Sequence, residues 1–356
     1  MNLMAHMSTQ RHIRFGVVVL SALTLVFSGL ASAEDKGEGA SAATYHSSVA
    51  EVRVTFFATD ENNHPLENVS MGDIAIVDSE QVIRNFRSLA RCDGTSLNVV
   101  ALVDISESAA SHFRVEMNEV LRLVAREQSI ASDSIAVLSF GGTLAGADRD
   151  GQGGTERGWS SDLRPVVFCS ARCSADEIAR LLARGLKSSG TTPLFDALIF
   201  ASDFIAQQGR AGARPVVILF SDGDDTISLH SRGEALQAVR DAGALVYAVD
   251  IGAAKSQGLA PGSYYTSGYA SGSAFMRQVS EVSGGRYLYI PQGASQADSG
   301  ASVLNAVLDD LRATYVVTYD LPSRHPGFHS LRVLPTHKLN LKFHSRDGYD
   351  YEPNEQ

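Results

Sequence analysis

The sequence predicts an α/β domain with a mostly parallel central sheet and helices on both faces, flanked on either side by β segments. Three observations predict it. From Leu97 onward, apolar runs of strand length alternate with stretches of helical periodicity. Some runs, such as Leu97–Val103, are apolar almost throughout, as central parallel strands buried on both faces must be. Before Leu97 and after Thr314, short alternating runs are separated by turn residues, which is the texture of antiparallel β structure.

Composition sets the outer bounds. A chain of 356 residues suggests two domains by length alone, and its 44% hydrophobic content is ordinary for a folded protein. The formal net charge of −10 argues against general affinity for nucleic acid or anionic membranes, since both need clustered Lys and Arg. No short repeat or sustained heptad runs along the chain.

In chain order, Arg11 and Arg14 precede an apolar run from Phe15 to Phe27, followed by Ala31-Ser32-Ala33. That is the pattern of a signal peptide, 1–33, with cleavage after Ala33, so the expectation is export to the periplasm or beyond. No later run is long enough to span a bilayer. Residues 34–46 are small and polar and read as a flexible leader. An N-terminal β region, 47–92, follows, with strands expected around Val52–Ala58, Asp73–Asp78 and Val82–Arg87.

The α/β unit is expected over 93–313. Its strands fall at Leu97–Val103, Ser134–Phe140, Arg164–Cys169, Pro215–Phe220, Leu245–Ile251 and Arg286–Ile290. Its helices fall at Phe113–Arg126, Ser174–Leu186, Pro193–Gln208, Arg232–Ala242, Ser273–Val282 and Ala301–Leu311. Ser174-Ala-Asp-Glu177 has the spacing of a capping box. The C-terminal β region, 314–356, offers Thr314–Leu321, His329–Leu334 and Leu339–His344. About three strands on each side are too few to bury a core comfortably. Either both ends build one β-sandwich, or two small β units stand apart.

The chemistry concentrates at strand ends. Asp104-Ile-Ser106-Glu-Ser108 lies just past the first buried strand, and Asp222 follows the strand Val216–Phe220. In open parallel sheets, binding groups collect at the carboxyl edge, so both carboxylates should emerge there. Thr192 stands just before the helix that opens at Pro193. Ligands that are all oxygen, with few carboxylates and room for water, suit Mg²⁺ or Mn²⁺ better than Zn²⁺.

This set, with Thr192-Pro-Leu-Phe-Asp-Ala197 and Phe220-Ser-Asp-Gly-Asp-Asp-Thr226, resembles the metal-ion-dependent adhesion site of von Willebrand factor A domains. The resemblance covers roughly residues 95–315 and implies a Rossmann-like fold. It implies that Asp104, Ser106, Ser108, Thr192 and Asp222 hold Mg²⁺ (or Mn²⁺ or Ca²⁺), directly or through water. It also implies an open position for an Asp or Glu of a partner protein. The flanks, with Gly72-Asp-Ile-Ala-Ile76, Tyr315-Val-Val-Thr-Tyr319 and Arg346-Asp-Gly-Tyr349, resemble bacterial VWFA-related domain proteins. Glu107 and Ala109 replace the Gly and Met often found in this loop. Glu107 either faces solvent or adds a negative charge that tightens metal binding and repels an acidic partner.

The Gly-, Ser- and Tyr-rich segment 256–273 follows a parallel strand and is expected as a recognition loop on the metal face, with Tyr264, Tyr265 and Tyr269 as partner-binding candidates. After cleavage the cysteines are Cys92, Cys169 and Cys173, which allow one disulfide and one thiol in an oxidising compartment. If the family's usual antiparallel edge strand applies, Cys92 would bridge to Cys169 or Cys173 at the base of the α/β unit. The local Cys169–Cys173 bridge is the alternative. His325 and His329 flank Pro326-Gly327 and read as surface turn residues. No H-E-x-x-H, G-x-S-x-G or phosphate-cradling motif occurs, so the reading is a non-enzymatic binding module. The rivals are a structural or assembly protein of the cell envelope and, further off, a Mg²⁺-dependent hydrolase.

Overall fold

The computed structural model describes residues 50–92, 94–109, 134–144, 165–170, 173–174, 176–177, 180, 186–188, 190–209, 212–251, 264–290, 296–337 and 340–353. The proposed leader and cleavage site, and the helix expected at Phe113–Arg126, lie outside them. On the N-terminal side stand β1 (Glu51–Thr59), β2 (Ile74–Asp78), β3 (Gln81–Ile83) and β4 (Ser88–Arg91). The middle of the chain contributes β5 (Leu97–Asp104), β6 (Ser134–Phe140), β7 (Gly142–Leu144), β8 (Val166–Cys169) and β9 (Leu186–Ser188). Then come α1 (Leu194–Gln208), β10 (Arg214–Ser221), α2 (Arg232–Ala242), β11 (Leu245–Asp250), α3 (Tyr264–Ser283), β12 (Tyr287–Tyr289) and α4 (Gln296–Arg312). The chain closes with β13 (Tyr315–Asp320), β14 (Gly327–Pro335), β15 (Lys342–Ser345) and β16 (Gly348–Tyr351).

The central sheet has six strands in the order β12-β11-β10-β5-β6-β8. Every pairing is parallel except β6 with β8, which is antiparallel at the edge. Alternation along each strand divides the core in two. Val99, Ala101 and Val103 of β5 join Ile218 and Phe220 of β10 beneath Leu304, Val307, Leu308 and Leu311 of α4. Val100 and Leu102 face the other way, with Val217 and Leu219, against apolar residues of α1, α2 and α3. Because β5 and β10 bury both faces, their middle stretches Val99–Val103 and Val216–Phe220 are apolar throughout, and the buried polar residues Asn98, Asp104 and Ser221 fall toward the strand ends.

Local signals fix the helix ends. Ser231 caps α2: its Oγ accepts from Glu234 N, and the Glu234 carboxylate returns to Ser231 N at 2.7 Å. Gly243, at φ 61°, ends the helix in the left-handed region. The box expected at Ser174 forms, with Glu177 N donating to Ser174 Oγ at 3.1 Å and Ser174 N to Glu177 Oε2 at 3.0 Å.

The flanking strands form two four-stranded sheets, β15-β1-β13-β4 and β16-β14-β2-β3. Each contains strands from both ends of the chain, and one apolar cluster containing Val54, Phe56, Ile76, Val317, Tyr319 and Val333 draws on both sheets. Inside this layer Asp78 is fully buried and accepts from Tyr319 Oη and Tyr349 Oη, each at 2.7 Å. His329 corrects the sequence reading of a surface turn. It is 4% exposed, with Nδ1 3.5 Å from Asp78 Oδ1 and Nε2 2.8 Å from the His325 carbonyl. The turn signal at Pro326-Gly327 was sound, but β14 begins at Gly327, so alternation turns His329 inward.

Candidate metal centre

Asp104 is the last residue of β5, and Asp222 is the first beyond β10. The two strands are parallel neighbours with Val103 opposite Phe220, so both carboxylates emerge at one sheet edge. Asp104 is 0% exposed and Asp222 is 1% exposed. Asp104 Oδ1 accepts from Ser106 N at 2.9 Å, an Asx-type closure that turns the chain sharply off the strand. Ile105 N donates to the Phe140 carbonyl at 2.9 Å, tying this turn to the end of β6. Within the turn, Ser106 Oγ and Ser108 Oγ are 3.2 Å apart, so alternate residues present their hydroxyls together. Gly141, at φ 77°, closes the back: a Cβ there would lie 2.9 Å from Ser106 N.

The Asp222 side is built as firmly. Asp222 Oδ1 accepts from Asp224 N at 3.3 Å, whereas Asp222 Oδ2 is buried with no hydrogen-bond partner. Thr192, 4% exposed, is joined to the same loop: Thr192 N donates to Thr226 Oγ1 at 2.7 Å, and Thr226 N to the Thr192 carbonyl at 2.9 Å. Burial, and then the proximity of Asp222, push the Asp104 carboxyl up to about 7. Two buried carboxylates that repel each other, one with an unused lone-pair oxygen, form a site whose electrostatics a cation would relieve. The donor set of carboxylates and hydroxyls fits a hard divalent ion with water in its shell. Among the described residues, no group of three or more His, Cys, Asp or Glu side chains gathers to hold a metal, so Ser and Thr hydroxyls would have to complete this one.

Glu107 is exposed, with its Oε2 beside Gly190 on the approach to Thr192. The expected loop of Tyr264, Tyr265 and Tyr269 is corrected: these residues lie in the first turns of α3, which begins nine residues earlier than periodicity suggested. Helix formation is cooperative, and the strongly packed half carrying Phe275, Met276, Val279 and Val282 extends upstream through a Gly- and Ser-rich stretch of poor propensity. The same stretch makes close approach possible, since a Cβ on Gly272 would lie 2.7 Å from the Gly223 carbonyl carbon. The cysteine expectation resolves to its alternative. Cys169 and Cys173 form the disulfide, with Cα atoms 5.5 Å apart, and Cys92 is a free thiol. Cys92 instead contributes its carbonyl, which accepts from Arg214 Nη2 at 3.2 Å at the start of β10.

Several residues that hold the site carry no ligand atom and were not singled out from the sequence. Ser221 Oγ donates to Asp104 Oδ2 at 2.7 Å. Asp196, fully buried, accepts from Leu229 N and His230 N, each at 3.0 Å, and from His230 Nδ1 at 2.8 Å. Their signal was present only as the strings around Thr192 and Asp222, whose remaining positions now have roles.

Residues 98–261 match the sequence model described as von Willebrand factor type A domain. No curated protein matches the sequence. Among solved structures the chain is similar to the pilus adhesin SpaC from Lactobacillus rhamnosus GG in an open conformation, at 11% identity and a TM-score of 0.42, over 78% of this chain and 45% of that one. It is similar to proximal thread matrix protein 1 from the mussel byssus with a zinc-occupied MIDAS motif, at 13% identity and a TM-score of 0.41, over 65% and 49%. An aerotolerance-related membrane protein from Bacteroides fragilis follows at 12% identity and a TM-score of 0.38, over 60% and 98%. The chain spans about half the length of the first two.

Proposed function

Since residues 98–261 are a von Willebrand factor type A domain, we propose that the chain is an exported, non-enzymatic protein-binding module of the adhesion type. Asp104, Ser106, Ser108, Thr192 and Asp222 would hold Mg²⁺, with Mn²⁺ and Ca²⁺ as the alternatives. A bound cation supplies a fixed positive charge with a coordination position for a carboxylate of the partner protein. The chain's own part is to present the oxygens: the Asp104 turn aims two hydroxyls, and the Asp222 loop and Thr192 form one tied body. The observation that carries the reading is Asp222 Oδ2, buried without a hydrogen-bond partner beside the buried Asp104 carboxylate. A buried carboxylate oxygen left unpaired costs on the order of 1–3 kcal/mol, a cost that a ligand bound there removes.

Export is supported by the residues Arg11 to Ala33 alone and predicts a mature N-terminus at Glu34. Among the described residues, no helix is long and apolar enough to cross a membrane.

Calorimetric titration of Mg²⁺ tests the site. The protein should bind the ion, and Asp222→Ala should weaken binding by about tenfold or more while the thermal melt stays cooperative. Equal affinity in protein and variant would refute the assignment. Partner capture that is insensitive to EDTA would favour the purely structural role.

A further inference from the structure

Ile227 and Leu229, on the loop between Asp222 and α2, are 41% and 61% exposed. Single exposed aliphatic residues are ordinary on protein surfaces. This pair differs in the backbone beneath it. Asp225 Oδ2 accepts from Phe195 N at 3.1 Å and from Ser228 Oγ at 2.5 Å, and Ser228 Oγ accepts in turn from Asp196 N at 3.1 Å. The buried Asp196 carboxylate then takes Leu229 N and His230 N, while Thr226 is tied to Thr192. Every residue from Asp224 to His230 except Ile227 thus has a hydrogen bond that fixes it, and Ile227 lies between two that do.

The loop is therefore ordered before any partner arrives. Ordering an interface loop is a cost of binding, and here the hydrogen bonds meet the backbone part of it in advance. The bonds that hold the loop also hold Thr192 and Asp222, so the backbone that carries the two aliphatic residues keeps a fixed relation to the candidate cation ligands. Glu107 is exposed on the Asp104 turn, where its carboxylate would repel a second acidic group on a partner. An apolar neighbour would not be repelled.

We propose that Ile227 and Leu229 are the apolar half of the binding surface. The occupant is an extended segment of a partner protein that presents one carboxylate to the cation and seats aliphatic side chains adjacent to that carboxylate on this pair. The proposal rests on the cation reading above and adds what must surround the captured carboxylate.

Fluorescence anisotropy with two labelled nine-residue peptides tests it, one with a central Glu flanked by leucines and one with the same Glu flanked by serines. In Mg²⁺ the protein should bind the leucine-flanked peptide about tenfold tighter or more. The double variant Ile227→Ser, Leu229→Ser should lose that preference, with its Mg²⁺ affinity by calorimetry and its melting temperature unchanged. Equal binding of the two peptides in Mg²⁺, a preference that survives in the double variant, or no binding of either peptide at millimolar concentration overturns the proposal. The two readings fail differently. EDTA-sensitive binding of both peptides alike removes the apolar seat and leaves the cation anchor. A leucine preference that persists in EDTA removes the anchor, and with it the combined surface.

Discussion

Ser221 Oγ donates to Asp104 Oδ2 at 2.7 Å and so joins the carboxyl ends of β5 and β10 by a buried side-chain bond. The same oxygen accepts from Gly223 N at 3.0 Å, so one hydroxyl aligns the Asp104 turn and the start of the Asp222 loop. Ser221→Ala should therefore act on cation binding without removing a ligand. Loss of an outer partner of a ligand carboxylate costs about tenfold or more in metal affinity, and loss of a hydrogen bond to a carboxylate about 1.5–3 kcal/mol of stability. Mg²⁺ calorimetry and urea unfolding measure the two separately. A variant with unchanged Mg²⁺ affinity would show that Ser221 serves the fold alone.

Gly223 and Gly272 approach so closely that neither can carry a side chain. An added Cβ on Gly272 would lie 2.7 Å from the Gly223 carbonyl carbon and 3.0 Å from Asp224 Oδ1. Gly272→Ala should force α3 and the Asp222 loop apart, at about 1–3 kcal/mol of stability, and should weaken Mg²⁺ binding as Asp222 moves. Gly233 on α2 is the control, because its nearest contact would be Ser231 Oγ at 3.8 Å. Gly233→Ala should be neutral or stabilising by about 0.5 kcal/mol, with Mg²⁺ affinity unchanged. Equal effects of the two substitutions on Mg²⁺ binding would contradict this account.

What the sequence made legible follows the physics of each element. The runs that become β5, β10 and β11 can be read because strands buried on both faces are apolar through most of their length, with polar residues chiefly at their ends. Asp104, Ser106, Ser108, Thr192 and Asp222 could be singled out because each sits at the end of such a run or the start of a helix. The ties between them could not. Asp196 and Asp225 look like ordinary helix and loop acids in one dimension, and their acceptor roles exist only once the Asp222 loop folds over α1. The start of α3 is hidden because its Gly and Ser residues signal a loop by propensity, whereas Gly272 serves close packing on Gly223. At His329 a turn signal two residues away competes with the alternation of its own strand, and the strand decides the side chain's place. The Cys169–Cys173 pairing depended on the path of the chain after β8, on which spacing alone is silent.

His344 makes acid sensitivity predictable. Its ring stacks on Phe57 with centroids 4.5 Å apart, and Nε2 lies 3.1 Å from Thr59 Oγ1. Burial, followed by the charges of Arg286 and Lys342, lowers it from its ordinary 6.5 to about 4. With the folded pKa below the unfolded one, the unfolded chain binds the proton first. The contribution of His344 to stability is complete above about pH 6.5 and is lost as pH falls toward 4. His344→Phe retains an aromatic ring but removes the titration, so its pH-independent cost, chiefly the lost Thr59 contact, should appear alone. The stability of the protein relative to this variant should fall between pH 6.5 and 4 in matched denaturant titrations. A constant difference across that window would exclude His344 as the source.

The buried acceptor Asp78 joins strands from both ends of the chain, since Tyr319 belongs to β13, Tyr349 to β16 and Asp78 itself to β2. Removing the carboxylate would leave two phenolic hydroxyls and the His329 ring without their shared partner. Asp78→Ala should therefore lower stability by about 3–5 kcal/mol, the range for breaking a buried charged network. Tyr349→Phe takes away one donor and leaves Tyr319 and His329 in place, so it should cost about 1–3 kcal/mol. The two should not add fully: once Asp78 is gone, the Tyr349 hydroxyl keeps only its 3.3 Å contact with His329 Nδ1, so the double variant should cost less than the sum of the two by about 0.5 kcal/mol or more. Mg²⁺ affinity should stay at the native value in all three while they are folded, because none of these residues belongs to the Asp104 or Asp222 turns. Strict additivity in the cycle would mean that Asp78 and Tyr349 stabilise the β layer independently rather than as one network.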